Sequence, residues 1–532
     1  FDYLSTGYNA GTGLVMDTCQ NLAMDELWCN ANETNGIIGK DSTGIHIGWL
    51  MCTESGENGV VLDNCEAVTL DDLLDVNNTG WGFDLDGCRD FALLEGWFQG
   101  GSEGDLRIVD SQDILLGTPQ FQALMFSAGT GHTCIQAENS SGIVLKSAQV
   151  MTNVTPGAAG EPPVPIIELD TVTDSTFGPT SWRQGNLWFL CTDNAGATVF
   201  DVRGDCSGTN IQNAFMTSAA SSKQPLDDAA MRHAAVLRQG ATGVALLGNY
   251  ISYAHRGAVL VESEARENLI ARNRIVRGEG DAIRIDGNTA VQNRISENVI
   301  TDNAGKGIHL ENGGNHEVAA PVIEFADLST GTIAGRVDPP PPEGALVEVF
   351  ADPADEGEEL LGVSGMLGNN FSISTEVPLG LELHAVAVHP NGDSSEFGPM
   401  HIIEPPSQNF AFFYATSGAD NDDVWLRHPK YKNPMRLTQH AARDYMPAPD
   451  SRGRGLVFVS ERSGNPDLWL MRFDGRPPVR LTTGATAERD PALHGNRLAF
   501  AREEEGVHNI YTGEIDFDTG ALTAETALTS VT

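Results

Sequence analysis

Lysine is scarce in this chain of 532 residues: there are six, at Lys40, Lys146, Lys223, Lys306, Lys430 and Lys432. Bases number 32 against 73 acids, a net charge of −41. Nucleic acid is therefore excluded as an expected partner, because phosphate binding needs a basic face. No apolar run approaches the length of a membrane span, which excludes membrane insertion by a helix. The eight cysteines show no C-x-x-C and no Cys/His ligand spacing, which leaves no zinc or redox motif. No charged and apolar leader precedes Phe1, so a mature product or a fragment is expected. What is present is a 40% apolar content, too high for a disordered acidic tail, and 58 glycines, which imply many turns. The length predicts two to four domains.

Residues 13–116 repeat every 23 positions. Gly13, Gly36, Gly59 and Gly82 share one phase, and Leu14, Ile37, Val60, Phe83 and Leu106 the next. Met16, Gly39, Leu62, Leu85 and Ile108 follow two residues on. A second pair of columns is Leu22, Ile45, Val68, Phe91, Ile114 and Met24, Ile47, Leu70, Leu93, Leu116. Apolar columns two residues apart describe short strands with one buried face. Two or three such strands per repeat, with Gly, Asn and Asp at corners, describe one coil of a parallel β-helix. Equivalent residues then stack about 4.8 Å apart.

Cysteine follows the same period, in the column Cys19, Ser42, Cys65, Cys88, Ser111 and in the pair Cys29, Cys52. Stacked Cα atoms at that rise lie within disulfide range, yet parallel side chains strain the torsion. Free buried thiols and disulfides both stay open, the first favoured. The inserts Gln120–Thr133 and Thr155–Pro165 loosen the register and are expected to be loops that carry binding. The repeat returns at Asn249-Tyr-Ile251, Asn273-Arg-Ile275 and Asn298-Val-Ile300. Asparagine suits left-handed corners, and stacked amides hydrogen-bond along an axis. These coils resemble the right-handed parallel β-helix repeats of NosD-like and pectate-lyase-like proteins over about residues 11–315. That resemblance speaks to fold, and only weakly to activity.

Strand-like runs at Ala320–Ile323, Gly331–Val337, Leu346–Phe350, Phe371–Thr375 and Leu383–Val388 predict a small β-sandwich over residues 317–404. Its segment Ala385–Phe397 looks like the last hairpin of an Ig-like module, as found after β-helices in bacterial surface proteins. The CSLREA-type motif of those proteins is absent. A linker is expected at Glu404–Ser407. Beyond it, Asp423-Val-Trp-Leu426, Asp467-Leu-Trp-Leu470 and Asn509-Ile-Tyr-Thr512 repeat with a period of 42 to 44. With Arg436-Leu-Thr438 and Arg480-Leu-Thr482, they resemble TolB-like β-propeller blades over residues 410–532. About three blades are too few to close a propeller, so more are expected beyond Thr532 or from another chain. The predicted fold is thus all-β: a right-handed parallel β-helix (1–316), an Ig-like β-sandwich (317–404) and an incomplete propeller (405–532).

The most catalytic-looking residues are Tyr253, His255 and Arg256, with Arg277 one coil later; a Tyr/His/Arg wall would grip an acidic sugar. The bland alternative is corner residues, with arginines paired to Glu262, Glu279, Asp281 and Asp286. Trp49, outward by phase, and Arg284 with His309 are candidate carbohydrate contacts. Trp28 and Trp97 share a phase with Met51 and Leu74 and are expected in the core. Asp25, Glu26, Asp71, Asp72 and Glu95 form an acidic wall, either a Ca²⁺ site, the sole cofactor indicated, or a solvated face. Five N-x-S/T sequons begin at Asn32, Asn77, Asn139, Asn153 and Asn370.

The charge is uneven. Residues 1–120 hold 21 acids and 3 bases, a net −18, while residues 121–316 hold 19 and 14, a net −5. Residues 317–404 hold 16 acids and 1 base, −15, and residues 405–532 hold 17 and 14, −3. A uniform halophile-type surface would spread evenly. The expectation is a bacterial, extracellular or cell-surface structural or adhesive protein whose partners are polysaccharide or cell-surface components. A polysaccharide lyase or glycoside hydrolase acting on an acidic glycan is the alternative. Self-association into an extracellular filament is a third reading.

Overall fold

A computed structural model describes residues 1–530 except 120–122, 129–132, 153–163, 182–185, 192–196, 219–230, 328–330, 353–355, 376–381, 403–411, 418–420 and 428–432. The linker Glu404–Ser407, half of the insert Gln120–Thr133 and most of Thr155–Pro165 lie outside the described residues. The chain is all-β. Its first part is a solenoid whose strands form a 12-stranded and a 19-stranded parallel sheet.

The period of 23 is the register. Leu14 pairs with Ile37, Ile37 with Val60, Val60 with Phe83 and Phe83 with Leu106. Leu22, Ile45, Val68, Phe91 and Ile114 are likewise successive partners. From Ile37 and Ile45 onward these columns are buried in one continuous core.

The strands Gln20–Asn30, Thr43–Thr53, Glu66–Val76 and Arg89–Gln99 each turn a corner. Two successive outward residues, Asp25 and Glu26 in the first, shift the inside–outside alternation by one. After that corner Leu27 and Cys29 point in and Trp28 points out. Trp28, Met51, Leu74 and Trp97 are therefore an outer column, with Trp97 45% exposed, which corrects their expected place in the core.

Corners also dictate the interior polar ladders. Thr18, Asp41, Asn64, Gly87, Asp110 and Asn139 adopt positive φ. Each turns the next residue (Cys19, Ser42, Cys65, Cys88, Ser111, Ser140) inward. There the N–H of one coil donates to the next coil's side chain: Cys19 to Ser42 Oγ at 2.9 Å, Cys88 to Ser111 Oγ and Ser111 to Ser140 Oγ, both at 3.0 Å. In the later coils Gly248, Arg272 and Glu297 take the left-handed corner. The asparagines that follow do not adopt it, contrary to expectation. Asn249, Asn273 and Asn298 are buried and chain N–H and Nδ2 to the next Oδ1 at 2.9–3.0 Å. Asn268, Asn293 and Asn315 form a second ladder.

The glycine column answers a steric demand. A Cβ on Gly82 would stand 2.3 Å from Asp75 Oδ2, and one on Gly59 2.5 Å from Asp75 Oδ1. Asp75 and Asp105 are fully buried, and burial together with the charge of Asp105 pushes the Asp75 carboxyl well above its usual range.

Two antiparallel sheets follow, one of three strands (Val322–Asp327, Thr332–Arg336, Asn370–Ser374) and one of four. Ile333, Val347, Val349, Phe371 and Leu383 pack together in their shared core. The other face of the four-stranded sheet, with Phe350, Val386 and Val388, joins the solenoid core. Acidic side chains here stand in for the carbonyls of a further coil. Asp393 accepts from Gln292 N–H (2.6 Å), Glu348 from Glu297 N–H (2.8 Å) and Glu396 from Leu310 N–H (2.9 Å). Glu356 accepts from Asn303 N–H at 3.1 Å. Backbone donors at the end of a sheet stack need such acceptors when buried, and this accounts for part of the module's excess of acid.

Three further antiparallel sheets, of three, four and four strands, complete the described chain. Their repeats share one device. Asp423 and Asp467 are buried, each held by an arginine (Arg436, Arg480) and by the hydroxyl of Thr438 or Thr482.

Candidate functional site

The expected Tyr/His/Arg wall lies on a solenoid corner. Tyr253 and Arg277 occupy equivalent left-handed positions, φ 58° in both, so their side chains leave the wall one above the other. Arg277 Nη1 donates to Tyr253 Oη at 3.0 Å. His255 contacts Glu279 instead, Nδ1 to Oε2 at 2.6 Å. Arg256 is exposed, and its N–H bonds to the carbonyl of Arg232 in the preceding coil at 3.1 Å.

Sequence reasoning missed how this corner continues. Tyr250 lies on the strand leading into it and is the register partner of Arg274 above and Phe215 below. Phe215 and Tyr250 stack with centroids 4.8 Å apart, and Trp188 tilts onto Phe215 at 5.3 Å. The signal was the Tyr250–Arg274 spacing of 24, but the irregular coils below it hid the rest of the column. Among the described residues Arg232, Arg256, Arg274 and Arg277 are exposed and make no ion pair. Guanidinium groups stay charged and grip carboxylates in bidentate fashion.

The other candidates do not assemble. Arg284 and His309 are register partners, but Arg284 is held by Asp286 and Glu311, and His309 by Asp281 at 2.7 Å. Trp49 lies many coils away, half-buried with its ring edge-on to Trp28 at 5.4 Å. In the acidic wall, Trp49 stands between Glu26 and Asp72, and Gly48 fills the phase between Asp25 and Asp71. Only Asp72 and Glu95 are direct register partners, and Asp71 binds His46 at 3.0 Å. Among the described residues no three His, Cys, Asp or Glu side chains gather in a way that would hold a metal ion, so the five carboxylates do not form the Ca²⁺ cage considered above. Of the sequons, Asn32 is only 2% exposed, inside the solenoid, and Asn153 lies outside the described residues.

A second charged cluster sits on the outer face of the 12-stranded sheet, unnoticed in the sequence. Arg203 joins Glu168 (2.5 Å) to Asp201 (3.1 Å), and Arg238 also grips Asp201. Glu168 and Asp201 are adjacent-coil partners, and burial raises the Glu168 carboxyl. With both carboxylates bound by guanidinium, the cluster is a structural clamp.

A family model described as a right handed beta helix region matches residues 196–324. The coils are right-handed β-helix repeats. No curated protein matches the chain. Similar solved structures include TolB from Acinetobacter baumannii, at 16% identity and TM-score 0.20, covering 36% of this chain and 55% of that one. The A-module of mannuronan C-5 epimerase AlgE6 from Azotobacter vinelandii is 11% identical with TM-score 0.29, covering 59% of this β-helix chain and 89% of that one. The enzymatically active domain of a bacteriophage CBA120 tailspike is 10% identical with TM-score 0.17, covering 93% and 79%. This chain spans about half the length of the TolB structure. At these scores the likenesses carry no argument about activity.

Proposed function

We propose that this is a secreted or cell-surface β-helix protein with a structural or adhesive role that binds an acidic polysaccharide along the Tyr253 corner. The observation that carries the reading is the set of four exposed arginines beside Tyr250 and Tyr253 that make no ion pair among the described residues, on a chain that is otherwise strongly anionic. A uronate polymer offers one carboxylate per sugar, and stacked coils offer a guanidinium at each of three successive levels. Under the same proposal the chain divides into 1–316, 317–404 and 405–532, with Ig-like and TolB-like modules as accessories. The test is calorimetric binding of polygalacturonate and alginate. Replacing Arg256 and Arg274 together by alanine should weaken binding at least tenfold, with affinity also falling as salt rises. Equal binding by the double variant, or no binding of any anionic glycan, refutes the reading.

The 3.0 Å contact between Arg277 and Tyr253 favours one second reading, a lyase. A phenolate stabilised by guanidinium can remove the proton α to a uronate carboxylate. Release of unsaturated uronate, abolished by Tyr253→Phe, would establish it.

A further inference from the structure

Four of the thiols form two adjacent-coil pairs with different surroundings. Cys29 and Cys52 are direct strand partners deep in the core. Cys65 and Cys88 instead sit just after the corners formed by Asn64 and Gly87, one coil apart. Cys65 is flanked by exposed Asp63, Asn64, Glu66 and Ala67, and Cys88 by exposed Asp86 and Arg89. Both thiols are buried, but only one residue beneath the surface. Their backbones are joined through Arg89 N–H to Cys65 O at 2.9 Å, and both thiols point into the same inward column. Stacked coils bring the Cα atoms to about 4.8 Å, inside the range a disulfide spans.

We propose that Cys65 and Cys88 are a redox pair that hydrogen peroxide converts into a disulfide joining two coils. The surroundings of the two thiols assign the roles. The neighbouring Cys88 thiol, the largest influence, brings the Cys65 thiol down to about 7, while Cys65 and burial raise that of Cys88, whose S–H points to Leu62 O at 3.3 Å. The Cys65 thiolate attacks one peroxide oxygen and breaks the O–O bond. It becomes a sulfenic acid, and the hydroxide released takes up a proton to give water. The Cys88 sulfur then attacks the Cys65 sulfur, its proton leaving with the departing hydroxide as a second water. Two thiols are oxidised and one peroxide is reduced to two waters. Such a link would tie two successive coils in the N-terminal part of the solenoid.

The full chain is treated with peroxide at neutral pH, unfolded, alkylated with iodoacetamide and mapped as unreduced peptides. A peptide pair joined through Cys65 and Cys88, and separated by dithiothreitol, is expected. Its rate of formation should rise as pH passes about 7. Cys88→Ser should leave Cys65 trapped as a dimedone adduct. Serine already fills this column at Ser42 and Ser111, so the ladder is kept, and the wild-type map decides even if that variant folds poorly. Complete alkylation of both cysteines after peroxide overturns the proposal. Oxidation that appears first at Cys29–Cys52 also overturns it, because it would report general opening of the solenoid.

Discussion

The coils of residues 13–116 and those of residues 249–315 stack the same way but satisfy their interiors differently. The early coils hold 20 acids and 3 bases and use serine and cysteine at their inward corners, with a buried Asp75–Asp105 pair. The later coils hold 9 acids and 8 bases and use two asparagine ladders. A hydroxyl or thiol takes one N–H from the neighbouring coil, whereas an amide takes two donors and returns one. The later coils are thus more tightly cross-linked inside, which frees their outer corners to carry arginine without loss of register.

The sharpest way to break this comparison is to remove a central amide. Asn273 Oδ1 accepts from Asn249 N–H and Nδ2, and its Nδ2 reaches Leu246 O and Asn298 Oδ1. Asn273→Leu leaves several buried polar groups unpaired, each costing about 1–3 kcal/mol, so a loss of about 4 kcal/mol is expected. Denaturant unfolding monitored in the β-helix checks it. A loss below 1 kcal/mol would mean that the ladder is decoration.

Titration next contrasts Asp75 of the early coils with His233, one coil before the later ones. Burial depresses the His233 imidazole, which bonds Gly257 O at 2.9 Å, from 6.5 to about 4. As pH falls from 6.5 toward 4, the unfolded chain gains a proton that the folded chain refuses. Stability that is full above 6.5 therefore drains away, by about 3 kcal/mol in total. His233→Gln should remove that part of the acid sensitivity in paired denaturation curves at pH 7 and pH 4.5. Asp75 has the opposite sign. Its raised carboxyl favours the folded state at low pH and weakens it as pH climbs through the raised value. Asp75→Asn should remove the fall in stability that sets in as pH rises above the ordinary carboxyl value of 3.8.

Much of the solenoid was legible in advance, because 23-residue spacing and strand register are the same physical fact. Phe83, Phe91 and Leu93 lie where their columns place them. Trp97 did not, because the outward pair Leu94 and Glu95 resets a two-residue alternation that pattern reading carries straight through. The site was half legible. Tyr253 and Arg277 are a coil apart and touch, while His255 went to Glu279 rather than to either of them. The Ca²⁺ wall failed at Trp49 and Gly48, since a carboxylate column needs an acid at every level. The capping role of Glu348, Asp393 and Glu396 joins residues tens of positions apart, and no local period encodes it.

The smallest predicted effect tests the weaker, early ladder. Ser111 Oγ accepts from Cys88 N–H at 3.0 Å and donates to Val109 O at 2.7 Å. Ser111→Ala orphans one donor, while the carbonyl keeps a second lone pair, so about 1 kcal/mol should be lost. The same unfolding measurement applies. If the loss matches that of Asn273→Leu, hydroxyl and amide ladders hold coils equally well, and the stability contrast between the two regions disappears. If it stays near 1 kcal/mol, the early coils owe their order chiefly to the packed columns of Phe83, Phe91 and Leu93.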